Sequence, residues 1–191
     1  AGKDVTGVAP HKVAKLGVAR TFQNLALFNG MSVLDNVLLG RHIHMHPGVL
    51  PTALYWWMAR REEIANRMIV EEVIEFLDLQ AHRHARVSDL PYGIRKKIEI
   101  ARALVAGPEL LLLDEPFSAL DPGRRGRMLD LIDQLRKEQN TTVLMASHNP
   151  EDAVRIAEKC AFIQEGRIIA CAAPEEVLTP DRDPAIRDYL G

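Results

Sequence analysis

Leu111-Leu112-Leu113-Asp114-Glu115-Pro116 decides the fold. A short run this apolar reads as a strand buried on both faces of a parallel sheet, and the two adjacent carboxylates then fall at its exposed carboxyl end. In nucleotide-hydrolysing sheets the phosphates lie at that end. The first carboxylate can hold Mg²⁺ there, and the second can orient or deprotonate the attacking water. A solvated strand end is the plain alternative, so the pair gains meaning only from its neighbours. The 191 residues contain no Gly-x-x-x-x-Gly-Lys-Ser/Thr loop, the pattern whose amides would cradle the phosphates.

Downstream of the acidic strand, Asp121 follows in Ser118-Ala119-Leu120-Asp121-Pro122. Arg124 to Lys137 is helical, Thr142 to Ser147 is rich in β-formers and ends at His148, and Pro150 to Ala157 is helical again. Strands alternating with helices in this way build a parallel sheet with crossover helices. A histidine ending the neighbouring strand can serve the phosphate that Glu115 serves, since parallel strands end on one edge; a loop histidine is its bland reading. Cys160 to Gln164 and Arg167 to Cys171 flank Glu165-Gly166, a two-residue hairpin turn, before short terminal helices.

Upstream, Gly93 to Leu104 is a strong helix pattern ended by Gly107-Pro108. Arg61 to Leu79 forms a long amphipathic helix with Ile64, Met68, Val73 and Leu77 among its apolar positions. Ser32 with Asp35 is a capping-box-like start for Val33 to Leu39, in which Leu34, Val37 and Leu38 share a face. Pro10 and Gly17 bracket a short helix, and Val18 to Phe22 then has strand character and delivers Gln23. There is no internal repeat.

Composition bounds the function. At 47% hydrophobic and 26% charged, with a formal net charge of −2, the chain is an ordinary globular one and offers no bulk attraction for nucleic acid or an anionic membrane. No apolar stretch approaches the roughly 20 residues needed to cross a bilayer. Cys160 and Cys171 flank the hairpin and could face each other, although a reduced pair is expected. His42, His44 and His46 alternate without a carboxylate or cysteine partner, a weak metal signal. Leu54-Tyr55-Trp56-Trp57-Met58 either covers the core or touches a membrane-embedded subunit. Arg95, Lys96 and Lys97 read as a solvated helix face. The amino terminus, Ala1 to Gly7, reads as a chain joined in mid-fold.

Together these motifs resemble those of ATP-binding-cassette (ABC) ATPases. Leu110 to Pro116 with Ser118 to Asp121 is similar to their Walker B segment and D-loop, Thr21-Phe22-Gln23 to their Q-loop, and Ser147-His148 to their H-loop. Leu90-Pro91-Tyr92-Gly93, leading into Lys96 to Leu104, stands where the family signature stands. The order matches over essentially the whole chain. Gly17 to Asn24, the Tyr-Gly signature, the long Gly40 to Glu62 connection and the Tyr189-Leu190-Gly191 ending resemble the ATP-binding subunits of bacterial branched-chain amino acid importers.

The resemblance implies an α/β fold: a RecA-like P-loop NTPase core with a mainly parallel sheet and an inserted α-helical subdomain, here without its first strand and P-loop. The core would comprise residues 1–28 and 107–171, the helical subdomain 29–106, and a C-terminal helical tail 172–191. It implies ATP as the nucleotide, Mg²⁺ held by Asp114 with help from Gln23, Glu115 polarising the water, and His148 contacting the γ-phosphate. Pro91, Tyr92 and Gly93 would meet the nucleotide of a second ATPase subunit, the same chain or a related one, and Asp121 would connect the two sites. Membrane-spanning permease subunits and, indirectly, an external solute-binding protein are the further implied partners, on the cytoplasmic face of a bacterial inner membrane, with no nucleic acid.

Two departures bear on activity. Pro91 replaces the usual signature serine and Ile94 the usual glutamine, so the hydroxyl that would reach the γ-phosphate is missing. Without a phosphate-binding lysine and amide nest, the 191-residue chain alone is expected to bind ATP poorly and hydrolyse almost none. A non-transport cassette protein and a catalytically silent interaction module are the alternative readings.

Overall fold

The computed structural model describes residues 4–21, 27–44, 53–117, 120–180 and 183–190, with backbone only at residues 10, 43, 44 and 53–62. The chain forms two compact units, Ala1–Pro116 with Gln139–Met145, and Phe117–Glu138 with Ala146–Gly191.

The first unit holds a three-stranded sheet of order β1 (Val18–Arg20), β2 (Leu110–Asp114), β3 (Thr142–Ala146). β1 and β2 are parallel, with Val18 opposite Leu110 and Arg20 opposite Leu112. Leu111 and Leu113 are buried while Leu110, Leu112 and Asp114 are only half-buried, so one face of the strand is covered better than the other, less than the burial on both faces that the leucine run suggests. Thr21 extends the ladder by donating its N–H to the Leu112 carbonyl at 2.9 Å. β1 thus ends at Arg20, and Phe22 and Gln23 lie outside the described residues.

The rest of this unit is helical: α1 (Pro10–Ala14), α2 (Val33–Leu39), α3 (Ala53–Phe76) and α4 (Tyr92–Leu104). Ser32 caps α2 as its spacing predicts. Its Oγ accepts from the Asp35 N–H at 3.1 Å and donates to the Asp35 carboxylate at 2.6 Å. Asn36, fully buried, accepts from the Phe28 N–H and donates to the Phe28 and Ser32 carbonyls, which secures the loop entering the helix. Arg41 grips the Asn66 side chain of α3 and donates to the Val105 carbonyl at 2.8 Å, tying α3 to the end of α4.

α3 departs from expectation. It begins at Ala53 rather than Arg61 and ends at Phe76. Val70, Val73, Ile74 and Leu77 are buried, whereas Ile64 and Met68 are 53% and 61% exposed. At about 100° per residue Met68 lies roughly 140° round from Val73 and about 180° from Leu77, so these apolar residues belong to opposite faces. Ile64 and Met68 line a shallow groove with Arg67, Glu71, Glu72 and Glu75. The side chains of Leu54 to Met58, and His46 altogether, lie outside the description; His42 is exposed.

Gly40, at the carboxyl end of α2, lets that end pack closely against α4. A Cβ there would sit 2.2 Å from the Arg102 carbonyl oxygen and 2.5 Å from a Val105 methyl. Backbone on a helix end cannot yield as a flexible side chain can. Gly40→Ala is therefore expected to cost about 1–3 kcal/mol in a urea melt, and an unchanged midpoint would contradict this packing.

The second unit contains α5 (Pro122–Gln139), α6 (Pro150–Ile156), the antiparallel hairpin β4 (Cys160–Gln164) and β5 (Arg167–Ala172), then α7 (Pro174–Val177) and α8 (Pro184–Leu190). Arg155 of α6 pairs with both carboxylate oxygens of Asp130 on α5 at 2.9 Å. Ala170, Val177 and Ile186 form a buried cluster against which Cys160, Phe162, Ala172 and Leu190 pack. In the hairpin Cys160 is opposite Ala172 and Cys171 opposite Ala161. One residue of offset sends the two thiols to opposite faces, and neither cysteine forms a disulfide.

Candidate functional site

The acidic pair stands where the leucine run predicts. Asp114 is the last residue of β2, and Glu115 turns the chain away from it at φ 46°. The left-handed region costs a non-glycine residue about 1–3 kcal/mol and is uncommon outside functional or turn positions. The Arg20 guanidinium reaches Asp114 Oδ2 at 3.2 Å from the end of the neighbouring strand. Both side chains are substantially exposed, so the pair adds little to stability. Mg²⁺ takes hard oxygen ligands with several waters retained, and an accessible carboxylate whose partner among the described residues is an exposed arginine fits such an ion. Thr21, on the same strand end as Arg20, is 3% exposed, and its hydroxyl has no hydrogen-bond partner among the described residues.

In the same unit the segment Pro91-Tyr92-Gly93 forms the amino end of α4. Pro91 is the N-cap and gives no side-chain cap; its carbonyl accepts from Ile94 and Arg95 at 3.0 and 3.1 Å. The amides of Tyr92 and Gly93 consequently lie at an uncapped helix end, where backbone donors and the helix dipole favour an anion. One turn further, Lys96 is not on a solvated face as expected. It is 1% exposed, pairs with the 2% exposed Glu99 at 3.0 Å, and lies 5.9 Å from the centroid of the Tyr92 ring. Burial pushes the neighbouring Arg102 guanidinium below its usual value, with the Glu99 charge opposing. Sequence reasoning missed this pair because three adjacent cations look solvated; the i, i+3 glutamate was the available signal.

The second unit carries Asp121 and His148. Asp121 opens α5, its carboxylate accepting from the Arg124 N–H at 3.0 Å and its carbonyl from the Arg125 N–H at 2.9 Å. Arg125 then grips Asp152 of α6 with two bonds, Nε to Oδ1 at 2.7 Å and Nη2 to Oδ2 at 2.6 Å. Its Nη2 also reaches Ser147 Oγ at 3.3 Å, beside His148. Arg125 and Asp152 were not singled out by sequence; a bidentate pair between two helices carries no local pattern. Ser118 and Ala119, like Gln23, lie outside the described residues.

Comparison with known proteins supplies the family. The ABC transporter family matches residues 1–118 of the chain. The chain belongs to the ABC transporter family. Among its relatives is the high-affinity branched-chain amino acid transport ATP-binding protein BraF of Pseudomonas aeruginosa, 32% identical over 190 residues, which cover 100% of this chain and 74% of BraF. The thiamine import ATP-binding protein ThiQ of Photobacterium profundum is 36% identical, with 100% and 71% covered. In structure, an ATP-binding cassette of an ABC transporter, solved from twinned crystals, matches with a TM-score of 0.78 and 27% identity over 99% of this chain and 74% of that one. The fold is that of an ABC ATPase cassette, an α/β RecA-like core. No helix among the described residues is long and apolar enough to cross a membrane.

Proposed function

We propose that the protein is the ATP-hydrolysing subunit of an ABC importer for branched-chain or related amino acids. The carrying observation is the carboxylate pair at the end of β2, with Glu115 held in a left-handed turn immediately beyond Asp114. In this reading Asp114 holds Mg²⁺ together with Gln23, and Glu115 accepts the proton of the attacking water. His148, two residues past the end of β3, would contact the γ-phosphate, as the family resemblance implies. Bound Mg²⁺ would neutralise phosphate charge; orienting the water falls to Glu115.

The uncapped amino end of α4 supports a role for Tyr92 and Gly93 toward the γ-phosphate of a second subunit, with Pro91 shaping the turn. Asp121 would link the paired sites. Residues 29–106 then serve as the helical subdomain, between core segments 1–28 and 107–171 and ahead of the tail 172–191. Permease subunits in a bacterial inner membrane are the partners, this chain lying on their cytoplasmic side, with an external solute-binding protein acting indirectly.

The phosphate-loop pattern is absent from these residues, so the amides that would hold the β- and γ-phosphates are not among them. The 191-residue chain alone should therefore show almost no ATP turnover; ordinary turnover would refute that. Uptake of radiolabelled leucine by cells lacking the gene tests the substrate. Loss of leucine uptake with thiamine and sulfate uptake intact is expected. Loss of thiamine uptake instead would reassign the solute, and unchanged uptake of all three would remove the importer reading.

A further inference from the structure

His148 lies in a tight turn, residues 147–149, between β3 and α6, and the second unit pins that turn from two sides. On one side Ser147 Oγ donates to Asp152 Oδ2 at 2.6 Å and accepts from the Asn149 N–H at 3.1 Å. Asp152 is 1% exposed and its charge is met by the bidentate Arg125. Charge-assisted, largely buried bonds of this kind hold geometry tightly. On the other side the carbonyl of His148 itself accepts a hydrogen bond from the Tyr189 hydroxyl, forty-one residues later on α8.

Tyr189 is well placed to hold its grip. Its ring meets Phe162 of β4 edge-on, with centroids 5.4 Å apart at 66°, a favoured aromatic geometry. The helix that carries it is anchored by the fully buried Ile186 in the cluster with Ala170 and Val177. A helix anchored by Ile186, the ring of a tyrosine that is 43% exposed yet packed on Phe162, and one hydroxyl thus meet the backbone of the residue proposed to touch the nucleotide.

We propose that Tyr189 is a positioning residue for His148: the carboxyl-terminal helix sets the backbone of the histidine and, through it, the direction in which the imidazole addresses the γ-phosphate. This rests on the reading of His148 as a nucleotide contact. Ser147, Asp152 and Arg125 fix the flanks of the turn, and Tyr189 fixes its centre. A tyrosine that merely fastened the tail would stabilise α8 and leave the turn alone.

Tyr189→Phe separates the two roles, since it keeps the ring against Phe162 and removes only the hydroxyl. Hydrogen exchange of the chain should speed up at the amides of residues 148 and 149 by about three- to tenfold, the value of one hydrogen bond, with α8 unchanged. In the ATP-hydrolysing assembly Tyr189→Phe should lower kcat by a similar factor at unchanged KM. Added to His148→Ala, it should cause no further loss, because it acts through that histidine. Unchanged exchange at the turn, faster exchange confined to α8, or a kcat loss that adds to that of His148→Ala would each overturn the inference. If His148→Ala leaves turnover intact, the nucleotide role of His148 fails instead, and the exchange result still decides whether Tyr189 sets the turn.

Discussion

Replacing Glu115 with glutamine is expected to reduce ATP turnover of the intact transporter by about 10²–10⁴, the usual contribution of a positioned general base, while ATP binding persists. Glutamine keeps the size and hydrogen-bonding reach of the side chain but cannot take a proton. Glutamine meets the left-handed φ of 46° at this position no worse than glutamate does, so folding should be little affected. The loss should appear in kcat with KM for ATP nearly constant, because the proposed base acts on water rather than on the nucleotide. Asp114→Asn provides the contrast: loss of the proposed metal ligand should raise the Mg²⁺ concentration needed for half-maximal turnover. A Glu115→Gln protein that turns over ATP at the wild-type rate would remove the proposed base.

The largest expected effect on stability comes from Glu99→Leu. The Lys96 ammonium and the Glu99 carboxylate are 1% and 2% exposed, and their 3.0 Å contact compensates the desolvation of the lysine. The only aromatic help is the Tyr92 ring, 5.9 Å away among the described residues. Removing the carboxylate leaves a buried cation, which costs about 3–5 kcal/mol. That is a large part of the whole stability of a typical domain. Lys96→Met combined with Glu99→Leu should recover most of the loss, since two apolar groups need no partner. Urea melts of the three proteins measure the cycle, and a single mutant as stable as wild type would show that water reaches the pair. Because both residues sit in the first two turns of α4, the amino end bearing Pro91, Tyr92 and Gly93 should loosen with them.

Much of the fold was legible because its signals are local. The leucine run, the Ser32–Asp35 cap, the Gly166 turn and the alternation of β2, α5, β3 and α6 each depend on residues a few positions apart, and each element lies within a few residues of its expected place. α3 was read less well. Its exposed Ile64 and Met68 entered the same apolar pattern as Val73 and Leu77, since hydrophobicity alone does not say which face meets a neighbour. For the proposed site, Asp114, Glu115 and His148 were identified from the ends of predicted strands, whereas Arg20, Arg125, Asp152 and the hydroxyl of Tyr189 were not.

What the amino-acid order determined by itself was therefore the succession of elements and the chemistry waiting at their ends, because propensity, capping and periodicity act over one or two turns of chain. Only the tertiary structure decided which charges are buried and which backbone atoms are held. The burial of the Lys96–Glu99 pair, the close approach at Gly40 and the bond from Tyr189 to His148 depend on packing between segments; the i, i+3 spacing lets Lys96 and Glu99 meet, but nothing along the chain records that they are buried or how closely the other groups approach.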